Sequence, residues 1–270
     1  MKKADPFVAP DSKREASARR GQEAPRIAVL GASAGGLQAI EQFMRSCDQL
    51  SDDVLASWAL VIIQHLSPDH ESVMDALLRR CCRMPIVYAC SGAVLCGGTC
   101  YLIPAHADIT WEDGCLNLHT RPGRTQPHHP IDRFSLSLHG ATAASAAIII
   151  ASGTGSDGAL GAYHLAQHQG QVWIQDPHEA NFPQMPEAAL AQVPQANIGP
   201  MPSIPGKLFA QESRADAGQS SSPGSCDEGL EPLDVLAHLL EREHRLHWNH
   251  YHAATLMRRL DQGRQTTSSR

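Results

Sequence analysis

Ile27-Ala28-Val29-Leu30-Gly31-Ala32-Ser33-Ala34-Gly35-Gly36-Leu37-Gln38-Ala39-Ile40 is the stretch that decides the fold. Its first four residues are an apolar run that reads as a buried strand. Leu37, Ile40, Phe43 and Met44 then recur at helical spacing. Between strand and helix stands G-x-S-x-G, the pattern of a nucleophile elbow when it occupies such a turn. Small residues at 31, 32, 34 and 35 allow a tight turn and a close approach of substrate to backbone. Ser33 is then held at the carboxyl end of a strand, beside the unpaired N–H groups that open the next helix.

Further apolar runs follow. Ala59–Ile63 reads as a second buried strand, with a helix over Ser72–Arg80 after it. Short strands are expected at Ile86–Tyr88 and Tyr101–Ile103. Ile109–Trp111 and Leu116–Leu118 flank Asp113-Gly114, a hairpin signal. Ala146–Ile150 and Gln171–Gln175 are later strands, separated by a helix that starts near Ala159. Strands alternating with helices, and apolar on both faces, predict an α/β fold: a doubly wound, mainly parallel sheet with helices on both faces. A short helical extension is expected at the C-terminus.

The bulk composition narrows the function classes. The chain has 270 residues, 42% of them hydrophobic and only 5% aromatic, enough for a core built of Leu, Ile, Val and Ala. A net charge of −6 and the lack of a basic stripe argue against nucleic-acid binding. No run reaches the roughly 18 apolar residues of a spanning helix, and the first 25 residues lack a secretory signal, so no membrane insertion and a cytoplasmic location are expected. Eight cysteines contain no C-x-x-C pair, and the fifteen histidines are scattered mostly singly; neither set predicts a metal site.

Residues 1–24 lack periodicity and read as a disordered arm. A catalytic domain is expected over 25–205 and a Ser/Gly-rich linker over 206–231. Beyond it, 232–270 carries an apolar helical stripe of Leu233, Leu236, Leu239 and Leu240.

Three turns carry the candidate chemistry. Ser33 follows the first strand and His65 ends the second. Asp157 lies in Ser152-Gly153-Thr154-Gly155-Ser156-Asp157-Gly158 after a third. Parallel strands present their carboxyl ends on one rim, so nucleophile, base and orienting acid are expected together. Each has a plainer role when taken alone: helix cap for Ser33, hydrogen-bonded rim residue for His65, turn residue for Asp157. The chain order Ser, His, Asp differs from the α/β-hydrolase order. A dinucleotide site is a poorer fit, since it requires glycine at position 33 and an acid where Gln64-His65 stands.

Six blocks also match a family in order: Gly31–Gly36, Gln64–Pro68, Tyr101–Pro104, Pro130–Phe134, Gly153–Ala159 and Met185–Ala189. Together they resemble the catalytic domain of the bacterial chemotaxis protein-glutamate methylesterases. The resemblance covers 26 to about 200. It implies hydrolysis of glutamate γ-methyl esters on the cytoplasmic helices of methylated chemoreceptors, with glutamine deamidation as a second activity. It places the triad on Ser33, His65 and Asp157, and the oxyanion-binding N–H groups on Ala34 and Thr154, with no cofactor. Two positions depart from the family pattern: Ala34 replaces a usual Ser or Thr, and Thr154 a usual Met. They motivate a competing expectation, a weak or inactive receptor-binding module. Twenty-five residues are too few for a receiver domain, so direct activation by phosphorylation is not expected within this chain. The tail around Thr255–Leu260 resembles the start of the receptor methyltransferase N-terminal helical domain, which implies the esterase end of an esterase–methyltransferase fusion and a methyltransferase as partner.

Overall fold

The computed structural model describes residues 24–64, 74–104, 107–120 and 128–210. The expected N-terminal arm, most of the linker and the methyltransferase-like tail lie outside the described residues, as does His65.

The central sheet is built from β1 (Arg26–Ala32), β2 (Trp58–Gln64), β3 (Ile86–Tyr88), β4 (Thr99–Leu102), β7 (Ala147–Ile150), β8 (Gln171–Gln175) and β9 (Asn197–Gly199). Its spatial order is β3-β4-β2-β1-β7-β8-β9, and every pairing is parallel. The remaining strands, β5 (Ala107–Glu112) and β6 (Cys115–Thr120), form a separate antiparallel hairpin. Asp113 and Gly114 at its tip have φ of 51° and 79°, the two left-handed residues that a type I′ turn requires.

Helices α1 (Gly36–Cys47), α2 (Asp52–Ala56), α3 (Met74–Leu78), α4 (Pro130–Leu136), α5 (Gly140–Ala144), α6 (Ala159–Gln167), α7 (Gln184–Gln192) and α8 (Ile204–Ala210) cover the sheet. Alternate residues of β1 serve the two cores. Ala28, Leu30 and Ala32 join α1 and α8 on one face, while Ile27 and Val29 join α4 and α6 on the other. Burial on both faces is why these strands read as continuous apolar runs. None of the described helices is long and apolar enough to cross a membrane.

Two expectations shift. The helix after β2 is described only over Met74–Leu78, inside the expected 72–80. The expected linker start at 206 is too early, because α8 runs to Ala210 and buries Leu208 and Phe209 in the core. Phe209 packs edge-on against both Trp58 and Phe43, so the short stretch is fixed by aromatic packing that the Pro/Gly-rich sequence does not advertise.

The sheet winds outward in both directions from its middle. From β1 the chain moves to β2 and beyond on one side, then returns through β7 to the other. The crevice at the carboxyl ends of β1 and β7 is therefore the topological switch point, where ligands bind in open α/β sheets.

Candidate active site at the switch point

Ser33 follows directly on β1, and its backbone continues the ladder past the end of the strand: its N–H donates to the Ser152 carbonyl at 3.0 Å. Ala151 N–H likewise donates to the Gly31 carbonyl at 2.9 Å. The elbow and the glycine-rich turn after β7 are thus stitched together. A methyl group built on Gly153 would come within 2.9 Å of Ser33 Cβ and 2.1 Å of Met185 Sδ, so a side chain there fits only if Ser33 or Met185 shifts. Gly35 caps α1 with φ of 70°, a left-handed conformation that glycine adopts without strain.

Ser152 is the knot of this region and is 1% exposed. Its hydroxyl donates to the Ala34 carbonyl at 2.9 Å and accepts from Phe182 N–H at 3.0 Å. Its own N–H donates to Oε1 of the buried Gln175 at 2.8 Å. Three segments, the elbow, the turn after β7 and the approach to α7, meet on one side chain.

The two peptides expected to bind an oxyanion are both clamped. The Ser33 carbonyl accepts from Gly36 N–H at 2.9 Å, and the Gly153 carbonyl from Met185 N–H at 3.0 Å. In a trans peptide the carbonyl and the following N–H point opposite ways, so each clamp aims the next N–H, that of Ala34 or Thr154, away from its partner. Neither N–H has an acceptor among the described residues. Thr154 is exposed, and its side chain does not line the core.

Asp157 is 2% exposed. Its two carboxylate oxygens accept from the N–H groups of Ile131 and Asp132, each at 3.0 Å, in the first turn of α4. The carboxylate therefore sits where the positive end of a helix favours an anion. Asp132, equally buried, accepts from Gly158 N–H at 2.9 Å and Gly161 N–H at 2.8 Å at the start of α6. Neither helix has a side-chain cap of its own.

His129, Asp132 and Asp157 offer ligand atoms within 4.8 Å of one another, a spacing that could hold a metal ion. The carboxylate oxygens are, however, the acceptors that close α4 and α6. The group is chemically suited to fixing helix ends. His129 Nδ1 lies 3.9 Å from Asp157 Oδ1. The seven described cysteines are free thiols, and burial pushes those of Cys47, Cys82 and Cys100 upward, away from thiolate chemistry.

Of the residues singled out in sequence, Ser33, Ala34, Thr154 and Asp157 come to the rims of the adjacent strands β1 and β7. His65 follows Gln64, the last residue of β2, whose Cα pairs with Ala32 of β1; His65 itself lies outside the described residues. Sequence reasoning assigned no role to Ser152, Gln175 or Asp132. For Asp132 a signal exists, since Pro130-Ile131-Asp132 has proline and an acid in a first helical turn. Ser152 and Gln175 act through contacts distant in sequence and leave no local pattern.

The family model for CheB methylesterase matches residues 28–208. A protein-glutamate methylesterase/protein-glutamine glutaminase of Burkholderia thailandensis is 30% identical over 191 residues, covering 68% of this chain and 51% of that protein. One from Thiobacillus denitrificans is 26% identical over 188 residues, with shares of 68% and 51%. The chain thus spans about half the length of these curated relatives. The Thermotoga maritima CheB methylesterase catalytic domain superposes with a TM-score of 0.58, covering 70% of this chain and 99% of that one at 18% identity. The doubly wound sheet and the match across nearly all of its described elements lead to one conclusion: the chain belongs to the CheB methylesterase family.

Proposed function

We propose that this protein is a serine hydrolase that removes methyl groups from glutamate γ-methyl esters on the helical cytoplasmic segments of chemoreceptors. The observation that carries this reading is the pairing of Ser33 and the Asp157 turn across the β1–β7 switch point, knotted by Ser152. In the proposed reaction Ser33 Oγ attacks the ester carbonyl while His65 accepts its proton. The tetrahedral oxyanion is met by the N–H groups of Ala34 and Thr154. The same imidazole then protonates the departing methanol, and water hydrolyses the acyl-enzyme by the reverse sequence of proton transfers. Asp157, held by α4, fixes the imidazole tautomer and stabilises its cation. Backbone N–H donors make the hole tolerant of Ala34 and Thr154 in place of other side chains. Glutamine deamidation uses the same steps, with ammonia leaving instead of methanol.

Labelling with a fluorophosphonate, followed by mass spectrometry and a methanol-release assay, tests this reading. Modification is expected at Ser33 and is expected to be lost in Ser33→Ala and reduced by several orders of magnitude in His65→Gln. An unlabelled native protein would favour the inactive receptor-binding module. Loss of labelling in His129→Gln, with His65→Gln still reactive, would move the base to the histidine beside Asp157.

A further inference from the structure

The hairpin β5–β6 stands outside the central sheet, and on the strand face opposite the core residue Ile109 it carries a buried carboxylate with no part in the proposed chemistry. Asp108 on β5 is 2% exposed. Its Oδ1 accepts from His128 Nε2 at 2.5 Å and its Oδ2 from Arg133 Nη1 at 3.0 Å. Burial alone would raise the Asp108 carboxyl, but His128 and Arg133 outweigh it and hold the group below the usual carboxylate value. Asp108 is accordingly an anion gripped from two sides.

The two residues it grips bracket one turn of helix. His128 precedes α4 by two residues, and Arg133 is the fourth residue of the helix, where its last turn begins. Between them stand Ile131 and Asp132, whose N–H groups hold the two oxygens of Asp157. The hairpin also holds the far end of α4: Trp111 N–H donates to Ser137 Oγ at 2.8 Å, and that hydroxyl donates to the Phe134 carbonyl at 2.6 Å. A two-stranded hairpin is only marginally stable by itself, so its packing against α4 fixes both partners. The direction of the Ile131 and Asp132 N–H groups follows from where the start of α4 is pinned.

We infer that Asp108 is a positioning residue for the Asp157 carboxylate, acting at a distance through the first turn of α4. This rests on the reading of Asp157 as the orienting acid of a serine esterase. Hydrogen bonds of an orienting acid tolerate little displacement, so loosening the α4 start lowers turnover without altering substrate contacts.

Two readouts test it. Asp108→Asn keeps the shape and removes the charge that Arg133 and His128 face. Amide hydrogen exchange at Ile131 and Asp132 is expected to quicken at least tenfold in the variant, with exchange at Ala151 on the other side of the site unchanged. In a double-mutant cycle with Asp157→Asn, Asp108→Asn is expected to lower kcat for methyl-ester hydrolysis about tenfold with KM unchanged, and by less than about twofold once Asp157 is already Asn. Unchanged exchange at 131 and 132, or an equal kcat loss in both backgrounds, overturns the inference. If Asp108→Asn does not fold, Arg133→Met serves in the same two measurements, with Asp108 still bonded to His128 and the expected kcat loss about threefold. A native protein that neither labels at Ser33 nor releases methanol would instead overturn the esterase reading, while the exchange measurement still decides whether Asp108 holds the α4 turn.

Discussion

Asp132 and Asp157 cap each other's helices: the Asp157 carboxylate closes the start of α4, where Asp132 sits, and the Asp132 carboxylate closes the start of α6, just beyond Asp157. Each aspartate satisfies backbone donors that the other's helix leaves open. The consequence for the site is that the candidate orienting acid is part of the framework and cannot swing without uncapping a helix.

Removing one half of this exchange should therefore be felt at the other. Asp132→Ala strands the Gly158 and Gly161 N–H groups in the interior and should destabilise the protein by about 1–3 kcal/mol. Ester hydrolysis should fall at least tenfold at temperatures where the variant is fully folded. Denaturant melts alongside methanol release check both; full activity would separate Asp132 from the site.

Ser152→Ala removes the hydroxyl that joins the Ala34 carbonyl to the Phe182 N–H. Two neutral hydrogen bonds of about 0.5–1.5 kcal/mol each are lost. The peptide after Ala34, next to the one that carries the proposed oxyanion N–H, gains freedom, so kcat should drop about tenfold or more while KM changes little. Steady-state kinetics on a methylated receptor fragment would show it.

Gly153→Ala is the sharpest steric probe. The added carbon would meet Met185 Sδ at 2.1 Å and Ser33 Cβ at 2.9 Å, forcing one or both to move. Overpacking of this kind destabilises by about 1–3 kcal/mol, and displacement of Ser33 should abolish fluorophosphonate labelling. Adding Met185→Ala should restore part of the stability, measured by the shift of the melting temperature.

His164 gives a pH dependence unconnected with catalysis. Burial pushes its imidazole below the ordinary histidine value, and the neighbouring His168 and His139 add to this, while its hydrogen bond to the Leu138 carbonyl opposes it in part. The folded state thus resists a proton that the unfolded chain accepts near about pH 6.5. Stability is full above that value and declines as pH falls below it toward the folded-state value. Melting temperatures from pH 7.5 to 5 should fall in the native protein and fall less steeply in His164→Gln.

The core described to Ala210 closes with Phe209 against Trp58 and Phe43. Truncation after residue 210 is expected to preserve stability and esterase activity, because the sequence beyond it has linker composition. Truncation after 205 should be far more damaging, since it deletes the buried Leu208 and Phe209. Thermal melts of the two truncations decide between these boundaries.

The sequence by itself determined the architecture and the sites of the candidate residues along it. Both faces of β1, β2, β7 and β8 are buried, so their interiors are apolar runs that are legible in the sequence. The Asp113-Gly114 turn is legible because only left-handed backbone closes a two-residue hairpin of this type. Ser33 and Asp157 could be placed on one rim because parallel strands end together. The tertiary structure alone decided what holds those residues. Ser152, Gln175, Asp132 and Asp108 each act on groups 20 to 118 positions away in sequence, and a polar side chain that meets a distant group leaves no periodicity to read. The end of the core was hidden for a related reason. Leu208 and Phe209 stand in a Pro/Gly-rich stretch whose local preferences favour a loop, and only the aromatic pocket made by Trp58 and Phe43 turns that stretch into buried helix.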